Sequence, residues 1–228
     1  MSVDNIEEEC LTPFSDKFRL SIYILDLGWG NLEAMRCFLL RLGYPVSILT
    51  LDEYLDLGNF GNTIVIPGIG SAFDIKLIGD AKLNSLKENF KAERLVVGIC
   101  LGMHLFCRHL VEANTSGLGV FDIDITPIQV DGFKKTNIGY RKIDKTALGL
   151  EEYYFCHSFG ASIENTSIDL FHHCAYFNFE ETVTSNYAAL IMKDNYLGIQ
   201  FHPEKSGLPG LEFFRRAISG YFNSNNSF

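Results

Sequence analysis

The sequence of 228 residues contains no uninterrupted apolar run near the roughly 18 to 20 residues that a membrane-spanning helix requires. Basic residues are also scarce, because 19 Lys and Arg stand against 28 Asp and Glu and leave a formal net charge of −9. A phosphate backbone is bound by clustered basic side chains, so the charge argues against a nucleic-acid partner. The N-terminus lacks the basic and then apolar layout of a secretory signal. We therefore expect a cytoplasmic protein with no nucleic-acid or membrane partner.

Paired cysteines and metal-ligand spacings are lacking as well. The six cysteines are irregularly spaced and follow no secretory signal, so free thiols are expected instead of a disulfide framework. The His-His-Cys run at 172–174 and the pair Cys100 and His104 do not have the paired spacing of a zinc site. The glycine-bearing turn at 26–31 lacks the full G-x-G-x-x-G pattern of a dinucleotide loop. We predict no metal and no cofactor.

The order of apolar and polar segments predicts a single domain at 19–222, preceded by a polar, acidic extension at 1–18. Apolar strand-like runs alternate with amphipathic helical segments in the first half. The predicted strands lie at 19–26, 45–50, 63–67 and 95–99, and the predicted helices lie at 31–43, 75–91 and 208–222. Residues 118–200 instead carry short β-rich runs separated by turn residues.

This alternation predicts an α/β fold built on an open, mostly parallel twisted sheet that is flanked by helices. Fully apolar strands separated by amphipathic helices are typical of a parallel sheet covered on both faces. The β-rich middle of the chain predicts hairpins or a mixed sheet added to this core.

Cys100 lies between a buried strand-like segment and a helical segment, in the sequence Gly98-Ile99-Cys100-Leu101-Gly102. A nucleophile between two glycines is the pattern of a strained strand-to-helix elbow. The N-terminus of the following helix supplies partial positive charge and backbone N–H groups, which favour a thiolate and stabilise an oxyanion. The alternative is a buried core cysteine beside two incidental glycines.

Two further segments complete a candidate hydrolytic site. An apolar strand leads to His202, and Glu204 follows two residues later on the same side, where its carboxylate can orient the imidazole. Together with Cys100, these residues form a Cys-His-Glu triad, which is recognised by role and not by adjacency. The segment 66–71 has a proline and two glycines after a buried strand. It is interpreted either as a donor of an N–H group to an oxyanion or as a plain strand-to-helix turn.

Six segments together resemble the class I, or triad, glutamine amidotransferases, and within them the glutaminase subunits of imidazole glycerol phosphate synthase. The segments occur in the family's order and span about residues 21–215. They are 26–32, 67–70, 98–103, 117–119, 155–158 and 200–206. The resemblance implies a flavodoxin-like amidotransferase fold with an added β-rich segment, and an enzyme that releases ammonia from glutamine.

The resemblance also implies residue roles. Cys100 would attack the glutamine carboxamide, His202 would shuttle protons and Glu204 would hold His202. Backbone N–H groups at Gly70 and Leu101 would form the oxyanion hole. The residues expected around the substrate are Gly68, His104, Glu112, His157, Ser158 and Phe159.

A partner is implied by the same resemblance. The ammonia would pass to a (β/α)8-barrel synthase subunit in a heterodimer, which would make imidazole glycerol phosphate in histidine biosynthesis. Lys205 looks like the family's partner-facing lysine, and Tyr154 is expected at the same mouth. The small-molecule substrate would be glutamine.

The sequence departs from the family at three places. His104 stands where a glutamine is usual four residues after the nucleophile. The segment 136–141 replaces the usual His-x-Gly-Trp-Asn, and Phe159 replaces a common tyrosine. These departures lie at expected substrate and partner positions and therefore bear on the acceptor reaction and on glutaminase efficiency.

Some positions keep two interpretations. Helical spacing predicts that Cys100, His104 and Arg108 share one stripe with Glu112, which is either a ligand for the ammonium group of glutamine or a solvated carboxylate at a helix end. The pair at 157–158 either borders the substrate or is structural. At the level of function, the alternatives are a paralogue that supplies ammonia to another acceptor, for instance in amidino-sugar formation, a stand-alone γ-glutamyl hydrolase, and an inactive binding module.

Overall fold

The computed structural model describes residues 22–58, 61–130, 132–143, 152–163, 173–177 and 187–220. The predicted extension at 1–18 and the last residues of the predicted domain lie outside these ranges, so the domain boundaries stay a prediction. Among the described helices, none is long and apolar enough to cross a membrane.

The helices and strands follow each other in chain order. The helices are α1 (Leu32–Arg41), α2 (Leu51–Leu57), α3 (Ala72–Ile78), α4 (Asp80–Phe90), α5 (Leu101–Phe106) and α6 (Gly207–Ile218), with a 3-10 helix at Pro203–Lys205. The strands are β1 (Ile22–Asp26), β2 (Val46–Thr50), β3 (Thr63–Ile66), β4 (Leu95–Ile99), β5 (Cys107–Leu110), β6 (Thr115–Ser116), β7 (Phe121–Pro127), β8 (Gln129–Val130), β9 (Phe133–Lys134), β10 (Asn137–Lys142), β11 (Glu152–His157), β12 (Phe159–Ala161), β13 (His173–Phe177), β14 (Tyr187–Lys193) and β15 (Tyr196–Ile199).

The central sheet has the strand order β2-β1-β3-β4-β15-β14-β13. All pairs from β2 to β15 are parallel, and β14 and β13 continue the sheet as antiparallel strands. The parallel part has the 2-1-3-4-5 order of flavodoxin-like folds. The predicted mostly parallel α/β fold is confirmed.

Part of the β-rich middle of the chain forms additions to this sheet, as predicted, whereas β13, β14 and β15 at its end belong to the central sheet itself. One is a four-stranded sheet of order β12-β7-β5-β6, and two antiparallel pairs join β10 to β11 and β8 to β9. The β10–β11 pair leads directly into His157 and Ser158, so this segment contributes one wall of the site described below.

The central sheet is covered on both faces because alternate residues of its strands enter opposite apolar clusters. Val97 of β4 belongs to one cluster and Val96 to the other. On the Val97 face, Phe38 of α1 and Phe214 of α6 meet edge to face with ring centroids 5.5 Å apart. The Val96 face is covered by α4 and α5, which contribute buried aromatic residues that include Phe106.

Side-chain caps and glycines set the helix boundaries. Thr50 and Glu53 form a reciprocal capping box at the start of α2, and Ser71 and Asp74 form another at the start of α3. The single helix predicted at 75–91 is wrong, because α3 ends at Gly79 and α4 begins after it. Gly79 has φ +80°, a left-handed value that favours glycine and interrupts the helix.

Candidate active site

The three segments singled out in the sequence meet at one edge of the central sheet. β3, β4 and β15 are adjacent and parallel, with Ile66 in register with Gly98 and Ile99 in register with Ile199. Their carboxyl ends therefore open on the same side. Ligands of open α/β sheets bind at this edge.

Cys100 occupies the sharp turn between β4 and α5, with φ 52° and ψ −105°. A positive φ is costly for a residue with a side chain, so the position is strained. A Cβ on Gly98 would collide with the Gly102 carbonyl, and a Cβ on Gly102 would collide with the Ile66 carbonyl. Close backbone approach thus requires both flanking glycines, and the turn has the geometry of a nucleophile elbow.

His202 and Glu204 form a buried pair beside this turn. His202 Nδ1 lies 2.9 Å from Glu204 Oε1, and the two side chains are 2% and 6% exposed. The expectation that an extended strand places them on the same side is wrong, because β15 ends at Ile199 and a 3-10 helix begins at Pro203. The carboxylate reaches the imidazole through this tight turn.

The charge state of His202 depends on its two neighbours. Burial opposes a charge on the imidazole, whereas the interactions with Cys100 and Glu204 favour it, and the balance raises the pKa of His202 to about 10. Since Nδ1 faces Glu204, Nε2 is the ring nitrogen left to exchange a proton with the thiol. An imidazolium beside a cysteine favours the thiolate, which is the reactive form of the side chain.

The segment after β3 lies against the N-terminus of α5. A Cβ on Gly68 would come within 2.7 Å of the Leu101 nitrogen, and a Cβ on Gly70 would come within 3.1 Å of the Leu101 side chain. The first N–H groups of a helix have no partner within the helix. The backbone of Gly70 and the Leu101 N–H group thus border the space next to Cys100.

These elements enclose a pocket of about 320 Å³ above Cys100. A cavity of this size suits a small amino-acid substrate. All of the residues predicted around the substrate line it, together with several that the sequence analysis did not assign. The lining residues are Gly68, Ile69, Gly70, Cys100, Leu101, His104, Glu112, Thr136, Cys156, His157, Ser158, Phe159, His202 and Lys205.

His104 is buried below the pocket and contacts a second buried residue. Its Nε2 atom lies 2.9 Å from Gln200 Oε1, and the Gln200 amide nitrogen lies 3.6 Å from Cys100 Sγ. Burial lowers the pKa of His104 to about 4, so the imidazole is neutral near pH 7. Gln200 was not predicted as a site residue, and its place two residues before His202 is the one signal in the sequence that could have drawn attention to it.

Glu112 reaches the pocket by a different route from the one predicted. The expected helical stripe is wrong, because α5 ends at Phe106 and Arg108 lies on β5, where it pairs with Asp122 and Asp124. Glu112 follows β5 in a turn, and its Oε2 atom accepts a hydrogen bond of 2.7 Å from the Ala72 N–H group. The carboxylate is therefore anchored at the start of α3, close to the pocket.

His157 is held by two hydrogen bonds in the opposite wall. Its Nδ1 atom lies 2.8 Å from the Phe159 carbonyl oxygen, so Nδ1 donates, and Nε2 accepts from the Asn137 amide at 3.0 Å. Burial lowers the pKa of His157 to about 3, which keeps the ring neutral. Ser158 beside it shares a hydrogen bond of 2.9 Å with Thr136. The altered segment 136–141 thus supports the 157–158 pair.

The model of the family described as class-I glutamine amidotransferases matches residues 23–217. This chain belongs to that family. The chain is also 33% identical over 208 residues to imidazole glycerol phosphate synthase subunit HisH of Staphylococcus saprophyticus, with 90% of this chain and 98% of the relative covered. The subunit of the same name from Staphylococcus aureus is 32% identical over 203 residues, with 88% and 98% covered.

Solved structures of low sequence identity share the amidotransferase fold. PurLQS from Thermotoga maritima matches with a TM-score of 0.65 at 14% identity and covers 90% of this chain and 100% of its own. A crystal structure described as a glutamine amidotransferase matches with a TM-score of 0.59 at 17% identity, with 87% and 98% covered. At these identities, the likeness concerns the fold alone.

The mouth of the pocket in this amidotransferase carries an aromatic and basic cluster. The Lys205 ammonium lies over the ring of Tyr154, 5.7 Å from its centroid. Tyr140 contacts both residues, because its ring meets Tyr154 edge to face at 5.5 Å and its hydroxyl donates to the Lys205 carbonyl at 3.0 Å. Lys205 lines the pocket, and Tyr154 is not among the lining residues.

Metal ligands are not grouped in the part of the amidotransferase that the structure describes. Across the described ranges, no three His, Cys, Asp or Glu side chains lie close enough to hold a metal ion. The His-His-Cys run at 172–174 lies outside the side chains that are described, so its interpretation stays a prediction.

Proposed function

We propose that the chain is the glutaminase subunit of imidazole glycerol phosphate synthase, in which it hydrolyses glutamine and supplies ammonia to a synthase subunit. The arrangement that carries this proposal is the meeting of Cys100, His202 and Glu204 at the carboxyl ends of adjacent parallel strands. The family supports glutamine chemistry, and the relatives named as this subunit support the pathway.

Acylation begins with the Cys100 thiolate. Its sulfur attacks the carboxamide carbon of glutamine and forms a tetrahedral intermediate, whose negative charge develops on the former carbonyl oxygen. His202 gives its proton to the amide nitrogen, the carbon–nitrogen bond breaks and ammonia leaves. The remaining γ-glutamyl group is bound to Cys100 as a thioester.

Deacylation uses the same groups in the reverse roles. His202, now neutral, takes a proton from a water molecule that attacks the thioester carbon. The carbon–sulfur bond breaks and the thiolate is restored beside the imidazolium. The product leaves with a γ-carboxylic acid group, which gives its proton to the solvent to form glutamate. Glu204 holds the imidazole through Nδ1 in both steps, which is the orienting role of the third residue of a triad.

The oxyanion is stabilised by the backbone N–H groups of Leu101 and Gly70 in this proposal. Leu101 is the first residue of α5, where the first N–H groups have no partner within the helix and the helix dipole is positive. Gly68 has no side chain, which allows the strand segment to approach the elbow closely.

The substrate is held by groups spread around the pocket. Glu112 has a carboxylate near the pocket and binds the ammonium group of glutamine. The 157–158 pair and Phe159 form the wall beside the carboxamide. Hydrogen bonds from Asn137 and to the Phe159 carbonyl oxygen hold the His157 ring in this wall. His104 contributes the floor in place of the glutamine that is usual in the family.

The ammonia passes to a (β/α)8-barrel subunit that docks at the mouth of the pocket, and the two chains form a cytoplasmic heterodimer. Lys205 and Tyr154 contact this partner, and the edge-to-face contact of Tyr140 with Tyr154 and the cation–π contact of Lys205 with Tyr154 order this surface. A basic group at this place suits an acidic side chain of the partner.

The proposal is tested by measuring glutamate formation by the full chain alone, with a candidate barrel subunit, and with that subunit plus its acceptor nucleotide. We expect slow hydrolysis by the chain alone and a large increase in the complete assembly, with no reaction for Cys100→Ala. Fast turnover that no partner changes would indicate a stand-alone hydrolase. Stimulation by a barrel that makes another product would indicate the paralogous function, and no turnover at all would indicate a binding module.

A further inference from the structure

Gln200 is buried between His104 and the sulfur of Cys100. The side chain is fully inaccessible to solvent, and its amide contacts His104 through the oxygen at 2.9 Å and Cys100 through the nitrogen at 3.6 Å. A distance of this length is compatible with an N–H···S hydrogen bond, because sulfur is larger than oxygen. Neither contact belongs to the triad, and the mechanism above does not use them.

When Cys100 is a thiolate, the hydrogen bonds that link His104, Gln200 and Cys100 can have only one set of donors and acceptors. A thiolate accepts hydrogen bonds and donates none, so the NH2 group of Gln200 must face Cys100 and its oxygen must face His104. An amide oxygen only accepts, so His104 must carry its proton on Nε2. The neutral state of His104 near pH 7 is compatible with this requirement, because it is buried and its pKa is lowered to about 4.

We propose that Gln200 is a positioning residue for the nucleophile, and that His104 fixes the direction in which its amide points. Gln200 donates one N–H to the Cys100 thiolate, and His202 approaches the sulfur from the same strand end two residues later. Hydrogen bonds to a charged acceptor are about twice as strong as neutral ones. The proposal rests on the role of Cys100 as the nucleophile of the proposed function.

This arrangement also gives His104 a second role besides lining the pocket. Without its Nε2–H group, the Gln200 amide could rotate and point its oxygen at the sulfur. The thiolate would then meet a negative dipole instead of a donor. The residue that replaces the family's glutamine therefore acts on Cys100 through Gln200.

The test is the pH dependence of Cys100 alkylation by iodoacetamide, measured in the full chain by peptide mass spectrometry. Gln200→Met keeps the length of the side chain and removes the donor. We expect the midpoint of its alkylation curve to move upward by about one pH unit, a roughly tenfold loss of reactivity below the midpoint. His104→Phe should move the midpoint in the same direction by less, and His104→Gln should restore the parent curve.

Cys37 is exposed and serves as an internal control in every variant, since its curve should not change. An unchanged Cys100 curve in folded Gln200→Met overturns the proposal. If that variant does not fold, Gln200→Glu keeps the acceptor for His104 and places a carboxylate oxygen against the sulfur. Its midpoint should move upward further, and an unchanged curve overturns the proposal. Failure of the proposed function would look different, because Cys100 of the parent would then be no more reactive than Cys37.

Discussion

His202 Nδ1 and Glu204 Oε1 lie 2.9 Å apart although a 3-10 turn, and not a strand, joins the two residues. The turn brings the Glu204 carboxylate next to the His202 imidazole within two residues, so the local backbone conformation fixes the geometry of the pair. Pro203 is the first residue of the turn, where its fixed φ suits a helical start. The nitrogen opposite Glu204 is thereby directed to Cys100.

This relationship predicts a graded loss of activity. His202→Ala removes the proton carrier and should lower kcat for glutamine hydrolysis by about 10³-fold or more, whereas Glu204→Gln keeps a partner at Nδ1 and should cost about 10- to 100-fold. The measurement is steady-state glutamate release in the presence of the partner subunit. Equal losses for the two variants, or full activity of His202→Ala, would contradict the triad.

Gly68 and Gly70 should differ in their tolerance of a methyl group. A Cβ on Gly68 would meet the backbone nitrogens of Leu101 and Gly102 and the Cβ of Leu101, which cannot move without shifting the elbow. A Cβ on Gly70 would mainly meet Asp74 Oδ2, a side-chain atom that can turn away at the cost of its hydrogen bond from the Ser71 N–H group. Gly68→Ala should therefore reduce kcat by about 100-fold or more, and Gly70→Ala should serve as the milder matched control. A larger loss of kcat in Gly70→Ala than in Gly68→Ala would show that the close contact between Gly68 and the elbow is not the critical one.

His104→Gln should lower the KM for glutamine. The Nε2 atom of His104 is bound to Gln200, so the ring offers the ligand at most one acceptor in a fixed place, whereas a glutamine side chain carries both a donor and an acceptor. The measurement is KM in the assembled enzyme. An unchanged or higher KM would show that the pocket has adapted to the imidazole.

The main sheet and the elbow could be predicted from the sequence because both have local signals. The strands are visible as short apolar runs in the sequence. The elbow is visible because close backbone approach requires glycine at positions 98 and 102. The end of α5 could not be predicted in this way. Residues 107–110 continue a helical pattern, but pairing of β5 with β6 and β7 overrides it, and such pairing depends on distant residues.

The same distinction holds for the pocket. The short spacing of His202 and Glu204 predicts that their side chains interact, but it does not predict the 3-10 turn that joins them. The contacts of Gln200 with His104 and of Asn137 with His157 join segments about 96 and 20 residues apart, so no local pattern contains them. The register of β10 and β11 brings Asn137 to His157, and the packing of α5 beside β15 brings His104 to Gln200.

Acid should destabilise the fold through its buried histidines. Burial lowers the pKa of His104 to about 4 and that of His157 to about 3, whereas both titrate near 6.5 in the unfolded chain. Their contribution is therefore complete above pH 6.5 and is lost as the pH falls towards the folded values. For His104 and for His157, we expect the free energy of unfolding to fall by about 2 kcal/mol when the pH is lowered from 7 to 5.

His104→Gln isolates one of these contributions, because glutamine does not titrate. Urea unfolding at pH 7 and pH 5 should show that the variant loses about 2 kcal/mol less than the parent. Equal losses for the two proteins would mean that His104 is not held neutral in the folded state.

Covalent labelling tests most directly whether Cys100 is the nucleophile of a glutaminase. A glutamine-analogue diazo-ketone is added to the full chain, and the modified peptide is identified by mass spectrometry, with Cys100→Ser and Cys37→Ser as the matched variants. We predict a single adduct on Cys100, present in Cys37→Ser and absent in Cys100→Ser, which should also release no ammonia from glutamine. Modification centred on Cys107 or on Cys156 would contradict the account.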